Sequence, residues 1–419
     1  MSRQNGGNGA DRAAQIRAAA ALLFRQRGYQ EIGIDEIGAA VGISGPAIYR
    51  HFRGKDALLA AIVETHLHTL RKTWLGLGGT ERPTAILEAV IETALDDPDG
   101  YFVFAYQRQH LGAEAQERVH LIRADIRAPW KDLLAEYGVT LTSPEGRLKL
   151  TALQGMFIHV GLTRNASRTR RAAIAGDMAA RILAAPLPAA PGKEDPAAGA
   201  PEASTAQAQA PGQGAGPTQA EPAPLRHVNR GEAVLTAASA LFRRSGFNAV
   251  TLKDIGAEVG VTPSAIHRHF PSKESVLAQI VARGHDLLLT AVDFALRSAG
   301  TPGEAVRIMI ERFCRLHVEF SDLFGINFTM AAGADPEART ESKRRRRVTV
   351  EEVASKLHDA FPDMPLKEAR VRIGAVFSIL ARTVQSDEVL RHPSLAHELT
   401  AICISATLGS SPESPTSAS

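Results

Sequence analysis

The chain has 419 residues, 44% hydrophobic, 22% charged and 5% aromatic, with a formal net charge of +3. That length exceeds what one ordinary core accommodates, and the composition is that of a globular, helix-rich protein rather than a fibrous or disordered one. No run approaches the ~20 apolar residues of a membrane span, the opening MSRQNGGNGADR lacks a signal-peptide core, and Cys314 and Cys403 lack metal or disulfide spacing, so a reducing cytoplasm is the expected location.

Ile16, Ala19, Ala20, Leu23 and Phe24 recur at helical spacing, and Gly28 supplies a stop. A short second helix follows with Ile37 and Val41 facing inward. Gly38 is small enough for another helix to cross closely, and Gly42 permits a left-handed turn. Ser44 stands where an N-cap belongs, and a third helix is predicted over Gly45–Phe52. Burial of Ile48 and Phe52 leaves Ser44, Gly45, Ala47, Tyr49, Arg50 and His51 outward, with Lys55 close behind. Beyond it, Ile86, Val90, Ile91 and Ala94 continue the helical period, and no period-2 alternation occurs anywhere, so the fold class is all-α.

A Pro-, Ala-, Gly- and Gln-rich stretch over 185–226 has almost nothing to bury and reads as a disordered linker. After it the first pattern returns. Val234, Ala237, Ala238, Leu241, Phe242 and Gly246 repeat the first helix and its stop, and Ile255, Gly256, Val259 and Gly260 repeat the second. Thr262 repeats the cap, with Pro263 at the first helical position of a third helix running to Phe270. Here Thr262, Pro263, Ala265, His267, Arg268, His269 and Lys273 occupy the outward positions. The segment from Ile16 to Val63 aligns without a gap on Val234–Val281, with roughly 21 of about 48 positions identical, which marks a duplicated unit. Weaker similarity between LTALQGMFIHVGLT near Leu150 and VRIGAVFSILART near Val371 extends the repeat to the whole half-chain.

A short, exposed, donor-rich helix after a tight turn is suited to a DNA major groove. Arg50 and Arg268 are placed for guanine edges or phosphates, and Tyr49, His51, Lys55 and Lys273 for phosphate oxygens. The pattern LF...GY...I..IG..VGIS...IYRHF..KD.LL resembles the N-terminal domain of TetR/AcrR-type repressors, over about fifty residues in each half. The resemblance implies three DNA-binding helices followed by a larger helical domain that binds an effector and forms the dimer interface. It also implies a backbone contact from Thr251, whose place Gly33 takes in the first unit, and one from Tyr49, whose place His267 takes in the second.

The expected organisation is a first helix-turn-helix domain over 1–63, a helical ligand or dimerisation domain over 64–184, the linker, a second helix-turn-helix domain over 227–281, a second helical domain over 282–408, and a tail over 409–419. Such repressors ordinarily pair as homodimers on half-sites ~34–36 Å apart. A linker of about 41 residues reaches roughly 35 Å, so the two units are expected to form an intramolecular pseudo-dimer on an asymmetric double-stranded DNA operator, a homodimer of chains being the other arrangement.

Candidate effector-lining residues are Trp74, Phe102, Phe104, Tyr106, His110, Trp130, Phe157 and His159 in the first half, and Phe313, His317, Phe320, Phe324, Phe328 and Met330 in the second. With few charges among them, the expected effector is a small apolar or amphipathic molecule. The KRRRR run over 343–347 lies just before a helix predicted from Val348, and reads either as a solvated face or as a phosphate or acyl-phosphate contact. Neither catalysis, a metal nor a cofactor is indicated. GISGP at 42–46 lacks the closing glycine of a nucleophile elbow, and His66 and His68 point to different sides of a helix. The leading function is a ligand-responsive repressor. The competing readings are a ligand-binding or scaffolding module whose heads no longer read DNA, an activator, or an architectural DNA binder.

Overall fold

The computed structural model describes residues 5–76, 84–188, 229–329 and 336–409. Residues 189–228, which hold most of the linker predicted over 185–226, and the tail beyond 409 lie outside the described residues, as do Met330 and the side chain of Phe328. The regular elements among the described residues are all helical.

The first half runs through α1 (Asn5–Arg27), α2 (Ile34–Ala40), α3 (Gly45–Ile48), α4 (Lys55–Gly76), α5 (Thr84–Asp96), α6 (Pro98–Tyr106), α7 (Ala113–Glu136), α8 (Pro144–Leu162) and α9 (Arg168–Ala184). The second runs through α10 (Arg230–Ser245), α11 (Leu252–Val259), α12 (Pro263–His267), α13 (Lys273–Ser298), α14 (Pro302–Glu319), α15 (Ser321–Thr329), α16 (Pro336–Ala360), α17 (Leu366–Thr383), α18 (Asp387–Leu390) and α19 (Leu395–Leu408). Their starts follow from local chemistry. Asp97 and Ser143 each accept a backbone N–H at 3.0 Å, with Pro98 and Pro144 next in line where a missing N–H costs nothing.

The duplicated stripes build duplicated cores. Ile16, Ala20 and Phe24 are fully buried, as are Ala238 and Phe242, and each phenylalanine meets an aromatic beyond the stop glycine: Phe24 with Tyr29 at 5.2 Å, Phe242 with Phe247 at 5.1 Å. A paired ion contact ties each head to its helical body. Arg25 of α1 grips Asp99 at the start of α6, and Arg243 of α10 reaches Asp322 at the start of α15 at 3.0 Å.

The two halves meet along α8 and α17, the helices whose sequences answered one another, and α9 packs on α19. A Cβ on Gly155 would lie 2.6 Å from the Ser378 carbonyl oxygen, and one on Gly374 would strike the His159 ring. Superimposing the glycines of the two similar segments makes 155 equivalent to 374 and 159 to 378. The contact is therefore reciprocal, the pattern of a two-fold, self-complementary interface. Arg372 to Asp177 at 2.7 Å and Arg147 to Glu388 at 3.1 Å fix its edges. Burial would raise the Asp177 carboxyl, but Arg372 and Arg181 outweigh it and hold the group below the usual carboxylate range.

Three expectations need correction. The basic run over 343–347 lies inside α16, not before a helix: the apolar period fades there, but Glu341 pairs with Arg344 and Arg345 at 2.8–2.9 Å and supports the turn. The third helices close early, α3 at Ile48 and α12 at His267, because the next turn tightens onto Ile48 and Ile266 carbonyls. Phe52 is only half-buried, although its counterpart Phe270 is buried.

Candidate nucleic-acid interface and interior cavities

Each head places its third helix by two glycines. Gly42 and Gly260 take φ of 71° and 70°, a left-handed turn that other residues adopt only under strain. A Cβ on Gly38 would lie 2.8 Å from the Ile43 carbonyl, and one on Gly256 would lie 2.5 Å from that of Val261, so the two helices approach as closely as the sequence reading required. Thr262 caps α12 by accepting the Ala265 N–H at 3.3 Å, whereas Ser44 makes no such bond to α3.

The arrangement leaves Ser44, Tyr49 and Arg50 exposed on the first head, and Thr262, Pro263, His267, Arg268 and His269 on the second, with Ala47, His51 and Ala265 partly covered. Gly45 is the exception. It is buried, because its missing side chain makes room for the Asp35 carboxylate, so it presents no outward surface. Thr251 is exposed but locally committed: its hydroxyl donates to Asp254 Oδ2 at 2.7 Å and accepts the Asp254 N–H at 3.2 Å, a capping box that holds the Asp254 carboxyl below its ordinary range. In the first head Gly33 occupies that place, and its N–H donates to Glu36 Oε2 at 3.0 Å.

The lysines serve the scaffold directly. Lys273 Nζ donates to the carbonyls of Phe247 at 2.8 Å and Val250 at 3.0 Å and sits 4.3 Å from the Phe247 ring centre. Lys55 does the same with the Tyr29 carbonyl at 3.0 Å and the Tyr29 ring at 4.5 Å. Both ammonium groups clamp the loop between the first two helices of their head.

Sequence reasoning passed over one pair. Arg12 and Arg230 fall at equivalent positions just before the matched stretch. Arg12 Nη1 reaches the Val41 carbonyl at 3.3 Å, and Arg230 lines a groove of about 230 Å³ with Ala265, Arg268 and His269. Recurrence at the repeat offset was the available signal.

Of the aromatic candidates, Phe104, Trp130 and Phe157 line a cavity of about 420 Å³ between α4, α6, α7 and α8. Tyr106 lines a second, of about 370 Å³, at the border with α17. His110 stacks on Tyr29 at 5.4 Å and lines a cleft between the two heads, where Asn248 donates to Glu31. Phe102 is buried against Tyr106 at 4.7 Å, and Trp74 packs half-buried on the core. Phe313 rests on Phe377 at 5.2 Å, His317 stacks on Phe324 at 4.0 Å, and Phe320 packs half-buried on the same core. The cavity walls also carry Arg108, Arg123 and Arg382, charges absent from the aromatic reading. Arg382 was visible as the one cation within the apolar run from Ile373 to Val384.

Residues 16–62 and 234–280 both match the family described as bacterial regulatory proteins, tetR family. The transcriptional activator FasR of Mycolicibacterium smegmatis is 32% identical over 99 residues, 22% of this chain and 44% of FasR, so the chain spans under half the length of that relative. The transcriptional regulator UidR of Escherichia coli K12 is 24% identical over 197 residues, 44% of this chain but 93% of UidR. Among solved structures, the TetR family regulator PfmR from Thermus thermophilus matches with a TM-score of 0.38 and 24% identity, over 42% of this chain and 97% of PfmR. Two helix-turn-helix heads, each on its own helical body, define a DNA-binding transcriptional regulator. The chain carries two tetR-family helix-turn-helix units in tandem, at 16–62 and 234–280.

Proposed function

We propose that the chain is a ligand-responsive repressor whose two heads read the unequal halves of one asymmetric operator, the second reader being supplied by the same polypeptide. The reciprocal packing of α8 and α17 around Gly155 and Gly374 supports this reading, since it occupies within one chain the kind of surface through which two-fold pairs form. The outward residues differ between the heads, Ser44, Ala47 and Tyr49 against Thr262, Ala265 and His267, while Arg50 and Arg268 recur. Related but unequal half-sites about one helical turn apart follow. We assign base-edge or phosphate contact to Arg50 and Arg268, phosphate contact to Tyr49, His51, His267 and His269, and backbone anchoring to Arg12 and Arg230.

The effector occupies the interior cavities. Helix α6 runs from Asp99, which holds Arg25 of α1, to Phe104 and Tyr106 in the cavity walls, so displacement of α6 by a ligand is passed to the first head. An effector weakens operator binding only by its difference in affinity for the two head spacings. The chain acts in the cytoplasm and carries out no catalysis. Activation is a second reading, favoured by the likeness to FasR, a named activator.

A footprint upstream of the protein's own gene, combined with the stoichiometry of the complex, tests the proposal. One asymmetric site per chain, weakened at one half by Arg50→Ala and at the other by Arg268→Ala, supports it. Two chains on a doubled site would discard the single-chain operator, and a folded protein without a footprint would leave a ligand-binding module. A promoter reporter separates repression from activation.

A further inference from the structure

The cavity at the border of the two halves is lined by Tyr106, Arg108, His120 and Arg123 of the first half and by Arg382 and Gln385 of the second. Among the described residues Arg108, Arg123 and Arg382 form no ion pair with a carboxylate. Arg382 donates from Nε to Gln154 at 3.3 Å, and Arg108 lies over the Phe104 ring at 5.5 Å, its Nη1 shielded from solvent and without a hydrogen-bond partner. Burial first, and then Arg123 and Arg382, push the Arg108 guanidinium down to about 10. Arg382 is buried, Arg108 half-buried and Arg123 exposed; three guanidinium groups lining one space with no carboxylate in its wall offer an entering oxyanion bidentate hydrogen bonds.

This cavity shares His120 and Arg123 with the 420 Å³ cavity, whose far walls are Leu67, Leu70, Val90 and Trp130. Arg127, Arg147 and Glu388 also line that cavity, the last two paired with each other at 3.1 Å; unpaired guanidinium groups at one end and aromatic and aliphatic surface at the other describe the complement of a single molecule. We infer that the two cavities together bind one acidic amphiphile per chain, its oxyanion held by Arg108, Arg123 and Arg382 and its apolar body seated against Phe104, Trp130 and Phe157. The position equivalent to Arg382 in the first half is Thr163, so the duplication does not reproduce the site. Because Arg382 belongs to α17, the ligand bridges the halves and stiffens the border that sets the spacing of the heads. The inference rests on the effector-response reading above, but its test needs no DNA, so failure of one is distinguishable from failure of the other.

Fluorescence of the full chain, whose Trp130 lines the cavity, is titrated with dodecanoate, dodecyl phosphate and neutral dodecanol. The expected result is saturation by at least one anion at one molecule per chain, with dodecanol weaker by about tenfold or more. Preference between the two anions tells a free acid from a phosphate ester. Arg108→Met and Arg123→Met should weaken anion binding by about tenfold or more while leaving dodecanol unchanged. In the ligand-free protein Arg108→Met should melt at or above the wild-type temperature, since it removes a guanidinium nitrogen that is shielded from solvent and has no hydrogen-bond partner. Equal binding of dodecanol and the anions, binding of neither, or full anion binding by the folded arginine variants would overturn the inference.

Discussion

Substituting Gly155 by alanine tests whether the two halves are held together by the α8–α17 crossing. The new Cβ would stand 2.6 Å from the Ser378 carbonyl oxygen and 2.7 Å from the Ile379 Cα, both backbone atoms of α17. Neither atom has a rotamer to yield, so the helices must separate along a buried seam that includes Leu153, Met156, Val376 and Ile379. Overpacking of this kind costs about 1–3 kcal/mol. Gly176 in α9 supplies the control, because a Cβ there meets nothing within 4 Å and the same replacement should stabilise by about 0.5–1 kcal/mol through helix propensity. Gly374→Ala should fall between the two, since its clash is with the His159 ring, which can turn. Urea denaturation of the three variants, with operator affinity measured in parallel, should show opposite shifts for Gly155→Ala and Gly176→Ala and weakened DNA binding only for the former. An unchanged midpoint and unchanged affinity in Gly155→Ala would refute the proposition that this crossing organises the molecule.

Lys273→Met should lower stability by about 1–3 kcal/mol, because it leaves the Phe247 and Val250 carbonyls without their charged donor; an unchanged urea midpoint would mean that water replaces the ammonium at no cost. Thr251→Ala removes the α11 cap and should cost about 1 kcal/mol, whereas Gly33→Ala, whose partner bond is made by the backbone N–H, should leave that bond in place; thermal melts of the two variants compare them directly. Acid should destabilise the fold well before carboxylates titrate. Burial holds His285 and His317 down to about 4, so both are neutral in the fold while the unfolded chain takes up protons near 6.5. Their contribution is present above that value and lost as pH falls from about 6.5 towards 4, at about 1.4 kcal/mol per pH unit for each group. Denaturation at pH 7.5 and 5.5 should therefore differ, and His317→Gln should shrink the difference.

What the sequence determined on its own was everything that depends on short stretches of chain. The stop glycines, the left-handed turns at Gly42 and Gly260, the close crossings at Gly38 and Gly256 and the exposure of Arg50 and Arg268 all follow from spacing within about ten residues, and the repeat doubled the signal for each. The similarity of the segments near Leu150 and Val371 even picked out the helices that meet across the halves. Tertiary structure decided what each side chain faces once distant segments come together. Gly45 turned inward because Asp35 folds against it, and Lys55 and Lys273 were drawn to the carbonyls of a loop that only the folded head creates. Arg345 of the basic run was bound by Asp286 of α13 rather than left as a free patch. Most of all, Arg108, Arg123 and Arg382 come from three helical segments of two different halves, so no periodicity in the chain announces their convergence. A charge cluster of that kind is a property of the space between elements, and only packing brings that space into existence.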